Sequence, residues 1–257
     1  MELFGATRSH RAVDHALIDP RSFVTAPLPG WERTQCVVLI APAMGARFLQ
    51  YLAVMDAGGT AAPAPLGIER FVYVLEGLLA VDAPDDGSTT LAPGGFLYLA
   101  PEDRATLRAA SACRLNVFEK RYESRPGVPP PRMIIGHERD VAGQPFLGDP
   151  AARLQTLLPD EPAFDLAVNV FRFEPGAALP CVEVHVMEHG LLMLEGQGVY
   201  RLSDRWYPVR AGDVIWMAAF CPQWFVAMGP QPAAYLYYKD VNRSPWGSGH
   251  ERDAGDR

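Results

Sequence analysis

The sequence predicts an all-β protein made of two tandem jelly-roll modules, and two observations support this prediction. First, 23 glycines and 24 prolines are spread along the 257 residues and separate short apolar runs rich in Val, Leu, Tyr and Phe, as in strands joined by turns. Second, one pattern of strands and glycine-containing turns occurs twice in the chain. Hydrophobic residues make up 49% of the sequence, enough for a sizeable core, which excludes a disordered or fibrous protein.

The apolar runs predict the strands in chain order. They are CVVLIAP (36–42), FLQYLAVM (48–55), RFVYVLEGLLAVDA (70–83), GGFLYLAP (94–101), LNVFEKRY (115–122), LAVNVFRFEPG (166–176), HGLLMLEGQGVYRL (189–202), DVIWMAA (213–219) and AAYLYYKDV (233–241). Few windows have sustained helical periodicity, and AARLQTLLP (151–159) is the stretch predicted as a short helix.

The internal repeat aligns two strand–turn–strand–turn–strand segments. IERFVYVLEGLLAV (68–81) matches MEHGLLMLEGQGVY (187–200) at an offset of 187 − 68 = 119 residues. LAPGGFLYLAPED (91–103) matches VRAGDVIWMAAFCPQ (209–223) at an offset of 209 − 91 = 118 residues. Each copy has a Glu-Gly turn after its first strand. The chain is therefore expected to contain two copies of one β module.

A connector rich in proline and glycine separates the two copies. It covers residues 122–145, and its three consecutive prolines cannot lie in a central strand. We therefore expect an N-terminal module over residues 1–140 and a C-terminal module over residues 141–257. The last residues, 244–257, have little to bury and are expected to fray.

Composition limits the classes of partner. Lys and Arg number 23 against 30 Asp and Glu, a formal net charge of −7, which argues against nucleic acid and anionic membranes as partners. No run approaches the roughly 18–20 apolar residues of a membrane-spanning helix, and the first residues lack the order of a secretory signal. We therefore expect a soluble cytoplasmic protein whose partners are small molecules or proteins.

The cysteines indicate neither a zinc knuckle nor a disulfide framework. They are four in number, widely spaced and without a CxxC pair: Cys36, Cys113, Cys181 and Cys221. Buried free thiols are the expectation.

One short window contains a candidate metal site. Two of the six histidines lie in EVHVMEHGL (183–191). On a strand, Glu183 and His185 project from the same face, and His189 has the same parity. A carboxylate and two imidazoles that converge on a concave β surface predict a metal site, with a fourth ligand from another strand.

The pattern that continues from this window resembles the cupin superfamily, and it identifies the fold class as a bicupin. The pattern is Glu-x-His-x-x-x-His, a glycine at Gly196, a Pro-x-x-x-Gly that ends at Gly212, and Gln223. Compared with the usual cupin order, Glu183 takes the first histidine position, His189 the glutamate position and Gln223 the last histidine position. Two oxygen donors with two imidazoles suit Mn²⁺ or Fe²⁺ better than Cu or Zn, and Mn²⁺ is favoured.

The first copy of the repeat lacks this ligand set. Arg70 stands where His189 stands, while Ala64 and Leu66 stand at the positions of Glu183 and His185. These residues leave no metal site in the N-terminal module, which is therefore expected to be structural.

Several longer sequence motifs in the chain resemble those of the (S)-ureidoglycine aminohydrolases, a family of bicupins in purine-ring catabolism. The specific motifs are EVHVMEHG (183–190), GQGVY (196–200), RWYPVRAGD (205–213) and YLYYKDVNR (235–243). Motifs that are individually less specific are LPGWE (28–32), GIERFVYVLEG (67–77) and KRY (120–122).

The resemblance implies Mn²⁺-dependent hydrolysis of (S)-ureidoglycine to (S)-ureidoglycolate with release of ammonia, in the breakdown of allantoin. It also implies a homo-oligomer of at least two copies. The implied metal ligands are Glu183, His185, His189 and Gln223. The implied substrate-binding residues are Glu183, Gln223, Tyr235, Lys239 and Tyr200, of which Glu183, Lys239 and Tyr235 would be catalytic.

Two other classes of function remain open at this point, because a fold does not fix a function. One is a metal-dependent cupin oxygenase or isomerase that acts on another small carboxylate. The other is a non-enzymatic cupin that binds a small ligand. Fe²⁺ or another divalent ion also remains an alternative to Mn²⁺.

Overall fold

The computed structural model describes residues 7–84 and 87–243, and its contacts divide the chain into two compact units. One unit, Val24–Asp140, is called here the N-terminal barrel. The other, called the C-terminal barrel, consists of the described parts of Met1–Phe23 and Val141–Arg257. In both, almost all regular structure is β-strand, which confirms the predicted fold class.

The strands are numbered in chain order over the described residues. They are β1 His10–Arg11, β2 His15–Ile18, β3 Trp31–Ile40, β4 Leu49–Ala61, β5 Ile68–Glu76, β6 Leu79–Ala83, β7 Gly87–Leu91, β8 Gly95–Leu99, β9 Thr106–Ala109, β10 Cys113–Arg121, β11 Ile134–His137, β12 Gln144–Phe146, β13 Asp149–Thr156, β14 Leu166–Phe173, β15 His189–Glu195, β16 Gln197–Leu202, β17 Arg205–Arg210, β18 Val214–Met217, β19 Gln223–Ala227 and β20 Ala233–Asp240. Short 3₁₀ helices cover Pro20–Ser22, Pro42–Met44 and Glu138–Asp140.

The N-terminal barrel is one continuous curved sheet. Its strand order is β11-β8-β5-β10-β4-β9-β6-β7, and β3 also pairs with β4. The long strand β4 pairs with β10 over its first half and with β9 at its end, and Gly58 between these parts has φ +76°. Because β4 bends in this way, apolar residues from both halves of the sheet close over one core.

The C-terminal barrel consists of two sheets that share a core. The larger sheet has the order β1-β2-β18-β15-β20-β14-β13-β12, and the smaller has the order β17-β16-β19. Phe171, Phe173 and Tyr235 of the larger sheet join Tyr200 and Phe225 of the smaller sheet in one buried cluster. This two-layer packing is the jelly-roll arrangement that the sequence predicts.

The two barrels repeat the same turn geometry. Gly77 and Gly196, at an offset of 119, have φ of +78° and +71°. In the next turn, the amide of Gly94 donates to the carbonyl of Val74, and the amide of Gly212 donates to the equivalent carbonyl of Met193. Residues that align in the sequence therefore occupy equivalent places in the two units.

Residues 7–23 belong to the C-terminal barrel, whereas the prediction places them in the N-terminal module over residues 1–140. Strand β2 pairs with β18, and Leu17 joins the core of that barrel. Arg8 binds the carboxylate of Asp213 through two hydrogen bonds of 2.6 and 2.9 Å. The physical reason is that β18 needs a partner on its outer edge, and β2 supplies it.

The prediction of a short helix over residues 151–159 was wrong. Residues 149–156 form strand β13, because Ala152–Thr156 pair with Asn169–Phe173 of β14. The connector over residues 122–145 contains β11 and most of β12. Its three prolines, 129–131, lie outside any strand as expected.

Residues 244–257, for which fraying is predicted, lie outside the described residues. Among the residues that are described, no helix has the length and apolar character needed to cross a membrane.

Candidate active site

All the predicted site residues line one cavity in the C-terminal barrel. The space between its walls, counted out to open solvent, is about 540 Å³. Its walls include the predicted residues Glu183, His185, His189, Tyr200, Gln223, Tyr235 and Lys239. The rest of the wall consists of Phe146, Leu154, Phe171, Leu191, Met217 and Tyr237.

Strand periodicity explains why these side chains meet. Tyr235, Tyr237 and Lys239 alternate along β20 and all line the cavity, because residues two apart on a strand share a face. His189 lies directly opposite Lys239 in the antiparallel pairing of β15 with β20. The imidazole and the ammonium group therefore enter the cavity from neighbouring strands at the same level.

Glu183 and Gln223 are held by an isolated pair of backbone hydrogen bonds. The amide of Glu183 donates to the carbonyl of Gln223 over 2.8 Å, and the amide of Gln223 donates back over 3.0 Å. The segment around Glu183 and His185 is otherwise irregular rather than a strand. The shared face that parity predicts for these two residues is nevertheless present, since both side chains line the cavity.

A strained turn positions His185. The amide of Phe220 donates to the carbonyl of His185 over 2.7 Å, and Phe220 has φ +63°, in the left-handed region that side chains rarely adopt. Such backbone outliers persist only where the surrounding structure fixes them.

The two imidazoles face each other at the centre of the site. The Nε2 atoms of His185 and His189 are 3.2 Å apart, and the Gln223 amide nitrogen lies 2.9 Å from His185 Nε2. His189 Nδ1 lies 3.2 Å from the carbonyl oxygen of Tyr238. Because a carbonyl only accepts, Nδ1 of His189 carries the proton and Nε2 presents its lone pair to the cavity.

This arrangement fits a bound cation. Two nitrogens about 2.1 Å from a shared ion lie roughly 3.0–3.4 Å apart when their ligand angle is between about 90° and 109°. The observed 3.2 Å separation of the imidazole nitrogens falls within that range. The amide of Gln223 supplies an oxygen to the same place after a half-turn, since the two ends of the group have nearly the same shape.

The carboxylate of Glu183 stands farther from this centre. Among the described residues, groups of three His, Cys, Asp or Glu donor atoms within 4.8 Å of one another occur at Asp14, His15 and Cys221, and not at Glu183, His185 and His189. Glu183 thus lines the cavity, but its carboxylate and the two imidazoles are not all within 4.8 Å of one another.

Two buried phenols line the cavity. Burial first, and then the nearby carboxylate of Glu183, raises the pKa of Tyr200 well above its ordinary value. Burial, and then the neighbouring Tyr200, does the same to the pKa of Tyr235. Both side chains therefore stay protonated at neutral pH, and the hydroxyl of Tyr200 donates to Gln223 Oε1 over 3.5 Å.

Sequence reasoning missed two kinds of wall residue. Tyr237 packs edge-on against His189, with ring centroids 5.6 Å apart, and its parity with Tyr235 and Lys239 was the available signal. Phe146 and Leu154, on β12 and β13, give the cavity an apolar side. They gave no signal because these strands were expected to be connector and helix.

The N-terminal barrel fills the equivalent place with an ion pair. Arg70 lies opposite Glu119 in the pairing of β5 with β10, as His189 lies opposite Lys239. Arg70 Nε is 2.6 Å from Glu119 Oε1, and its guanidinium also lies over the ring of Trp31.

Comparisons with known proteins identify relatives of this chain. The cupin domain family model matches residues 169–238. A curated (S)-ureidoglycine aminohydrolase from Arabidopsis thaliana is 44% identical over 95% of this chain and 81% of its own length. The (S)-ureidoglycine aminohydrolase of Escherichia coli (strain K12) is 34% identical over 89% of this chain and 88% of its own. The crystal structure of protein Ylba from E. coli is 32% identical, with a TM-score of 0.83 over 93% of this chain and 96% of that one.

Proposed function

The chain belongs to the (S)-ureidoglycine aminohydrolase family, and we propose on this premise that its C-terminal barrel hydrolyses (S)-ureidoglycine to (S)-ureidoglycolate and ammonia in the breakdown of allantoin. The observation that supports this most is the single cavity that Glu183, His185, His189, Gln223, Tyr235 and Lys239 line together. The residue types match the needs of the reaction.

Glu183, His185, His189 and Gln223 are the residues proposed to hold a metal ion. Two imidazoles, one carboxylate and one amide oxygen form a hard donor set that favours Mn²⁺, with Fe²⁺ or another divalent ion as the alternative. A divalent ion there supplies Lewis acidity and an anchor for oxygen atoms of the substrate. The hydrogen bond from His189 to the carbonyl of Tyr238 supports the role of His189, because it fixes the ring with Nε2 facing the cavity.

The reaction replaces an amine by a hydroxyl group on a carbon that also carries a ureido nitrogen and a carboxylate. The electron pair of the breaking C–N bond leaves with the amine, which takes up a proton. The ureido nitrogen supplies electrons to the carbon, and water then adds its oxygen to that carbon and releases a proton. The protein must therefore hold the carboxylate, move one proton to the amine and direct water to one face.

The cavity offers a group for each task. Lys239 supplies a half-buried positive charge for the carboxylate of the substrate. Glu183 accepts the proton of water and returns a proton to the leaving amine. Gln223 orients the substrate without titrating, and the buried hydroxyls of Tyr235 and Tyr200 donate hydrogen bonds. The apolar wall from Phe146 and Leu154 limits access of bulk water from that side.

The proposal assigns a structural role to the N-terminal barrel, because the Arg70–Glu119 pair occupies the place of His189 and Lys239. It also includes a cytoplasmic location and a homo-oligomer of at least two copies, which rest on the sequence and the family.

The test is turnover of (S)-ureidoglycine, generated in situ from allantoate, by metal-stripped protein with and without Mn²⁺. We expect Mn²⁺-dependent release of ammonia above the spontaneous background and a single enantiomer of ureidoglycolate. A racemic product at the background rate, with Mn²⁺ shown to be bound, would mean that the site takes a different substrate. Full activity of the metal-stripped protein would refute the proposal that the reaction needs a bound metal ion.

A further inference from the structure

A second group of metal-ligand atoms lies outside the cavity, and we propose that it binds a divalent cation of the zinc class. A carboxylate oxygen of Asp14, a ring nitrogen of His15 and the sulfur of Cys221 lie within 4.8 Å of one another. His15 is 1% exposed and Cys221 is 4% exposed. None of the three lines the cavity, so this site is independent of the proposed reaction.

Two distant parts of the chain build the cluster within the C-terminal barrel. His15 begins β2, and Asp14 precedes it, while Cys221 lies in the turn between β18 and β19. The amide of Ala218 donates to the carbonyl of Asp14 over 2.9 Å, which fixes the first segment against the turn. The backbone thus holds two of the three ligands before any ion binds.

The hydrogen bonds of His15 allow its ring to become a ligand at little cost. Nδ1 lies 2.8 Å from Asp14 Oδ1, and Nε2 lies 2.7 Å from the hydroxyl of Tyr207. In this state Nδ1–H donates to the carboxylate and the hydroxyl donates to Nε2. When an ion binds Nδ1, the ring proton moves to Nε2, and the hydroxyl of Tyr207 accepts it instead. No buried ring nitrogen loses its hydrogen bond in either state.

The donor types select the class of ion. A thiolate, an imidazole and a carboxylate suit Zn²⁺ or Co²⁺, whereas Mn²⁺ prefers oxygen and imidazole donors. Ligands about 2.0–2.3 Å from a tetrahedral ion lie roughly 3.3–3.7 Å apart, so donors already within 4.8 Å need only small shifts. The Asp14 side chain is 31% exposed, which leaves a path for the ion and a place for water as fourth ligand. The thiol proton of Cys221 passes to solvent on binding.

Ion binding at this cluster would tie the first segment of the chain to the turn that holds His185. That turn contains Phe220, whose amide donates to the carbonyl of His185. The expected consequence is a higher unfolding temperature of the C-terminal barrel in the presence of the ion, because a ligand that binds only the folded state stabilises it.

The test is titration of the metal-free full-length protein with Co²⁺, followed by the absorption band that a thiolate–cobalt bond produces. The proposed active-site set has no sulfur and cannot give this band. We expect the band to reach the same final intensity in the wild type and in His189→Ala, with up to two equivalents of Co²⁺ needed in the wild type because the proposed active site also binds a divalent ion. Cys221→Ser should lose the band, whereas Cys181→Ser, which changes an exposed cysteine, should keep it.

Asp14→Asn serves as the second variant, because Asp14 is partly exposed and its replacement leaves the core intact. We expect Co²⁺ to bind it at least about tenfold more weakly than the wild type. Absence of the band in the wild type, or an unchanged band in Cys221→Ser, would overturn the proposal. If Cys221→Ser does not fold, an unchanged affinity of Asp14→Asn for Co²⁺ would overturn the proposal instead. For the variants that fold, these outcomes do not decide whether the cavity turns over ureidoglycine, because none of the three proposed ligands lines it.

Discussion

Arg70 and Glu119 form an ion pair in the N-terminal barrel at the ladder position that His189 and Lys239 occupy in the C-terminal barrel. In one barrel two opposite charges neutralise each other, and in the other an imidazole and an ammonium group face a cavity. At these two matched positions, one barrel therefore has an ion pair and the other has side chains that line the cavity.

The buried pair gives a first prediction about stability. Arg70→Met leaves the carboxylate of Glu119 without its nearest cation, and we expect it to lower the free energy of unfolding by about 3–5 kcal/mol. Arg70→Met with Glu119→Leu should recover most of that loss. Urea denaturation gives both values, and the turnover of folded protein should stay the same in each variant. Loss of turnover in the stable double variant would contradict a structural role for the N-terminal barrel.

Lys239 allows the substrate site to be tested apart from the metal. Lys239→Met removes the positive charge that the carboxylate of the substrate needs, and we expect turnover to fall by a factor on the order of 100. The bound metal, measured by elemental analysis, should not change. Lys120→Met is the matched control, because it makes the same change at a lysine of the N-terminal barrel, next to Glu119. Equal turnover in Lys239→Met and the wild type would remove Lys239 from the site.

His189 should connect metal binding with activity. His189→Ala removes the imidazole whose Nε2 faces the cavity. We expect both the affinity for Mn²⁺ and the turnover to fall by a factor of about 10 to 100. Dialysis against Mn²⁺ measures the first quantity, and product formation measures the second. His137→Ala, on β11 of the N-terminal barrel, is the control and should change neither. Undiminished metal binding in His189→Ala would show that the ligands are different.

Much of the site could be predicted from the sequence because strand parity acts over short distances. His189, Tyr235 and Lys239 lie on strands whose alternation is readable, and their side chains line one cavity; their roles in binding and catalysis stay predictions. Glu183 and His185 also line it, although their segment is irregular and a backbone bridge to Gln223 holds it.

The parts that could not be predicted depend on pairing between distant segments. Strand β13 reads as a helix by its apolar spacing, and only its ladder with β14 makes it a strand. Likewise, nothing in residues 15–18 indicates that they pair with β18, some 200 residues later. Asp14, His15 and Cys221 were not predicted as a cluster for the same reason.

The repeated Glu-Gly turns provide a last prediction, which separates steric clash from backbone strain. Gly196 has φ +71°, and a Cβ there would lie 2.3 Å from the carbonyl oxygen of Pro232. Gly176 has φ +84°, but a Cβ there would meet nothing within 4 Å. We expect Gly176→Ala to cost about 1–2 kcal/mol, the strain of the left-handed conformation alone. Gly196→Ala should cost more than about 3 kcal/mol, because the backbone of Pro232 must also move.

Thermal unfolding of the two alanine variants measures this difference. A loss of 1 kcal/mol lowers Tm by about 2–4 °C for a chain of this size, so Gly196→Ala should melt several degrees below Gly176→Ala. At Gly196 the added Cβ would meet main-chain atoms, the carbonyl oxygen of Pro232 and Cα of Ala233. Rotation of a side chain therefore cannot relieve the clash. Equal Tm values for the two variants would show that the turn relaxes freely, and that the repeated glycine is needed only for its positive φ.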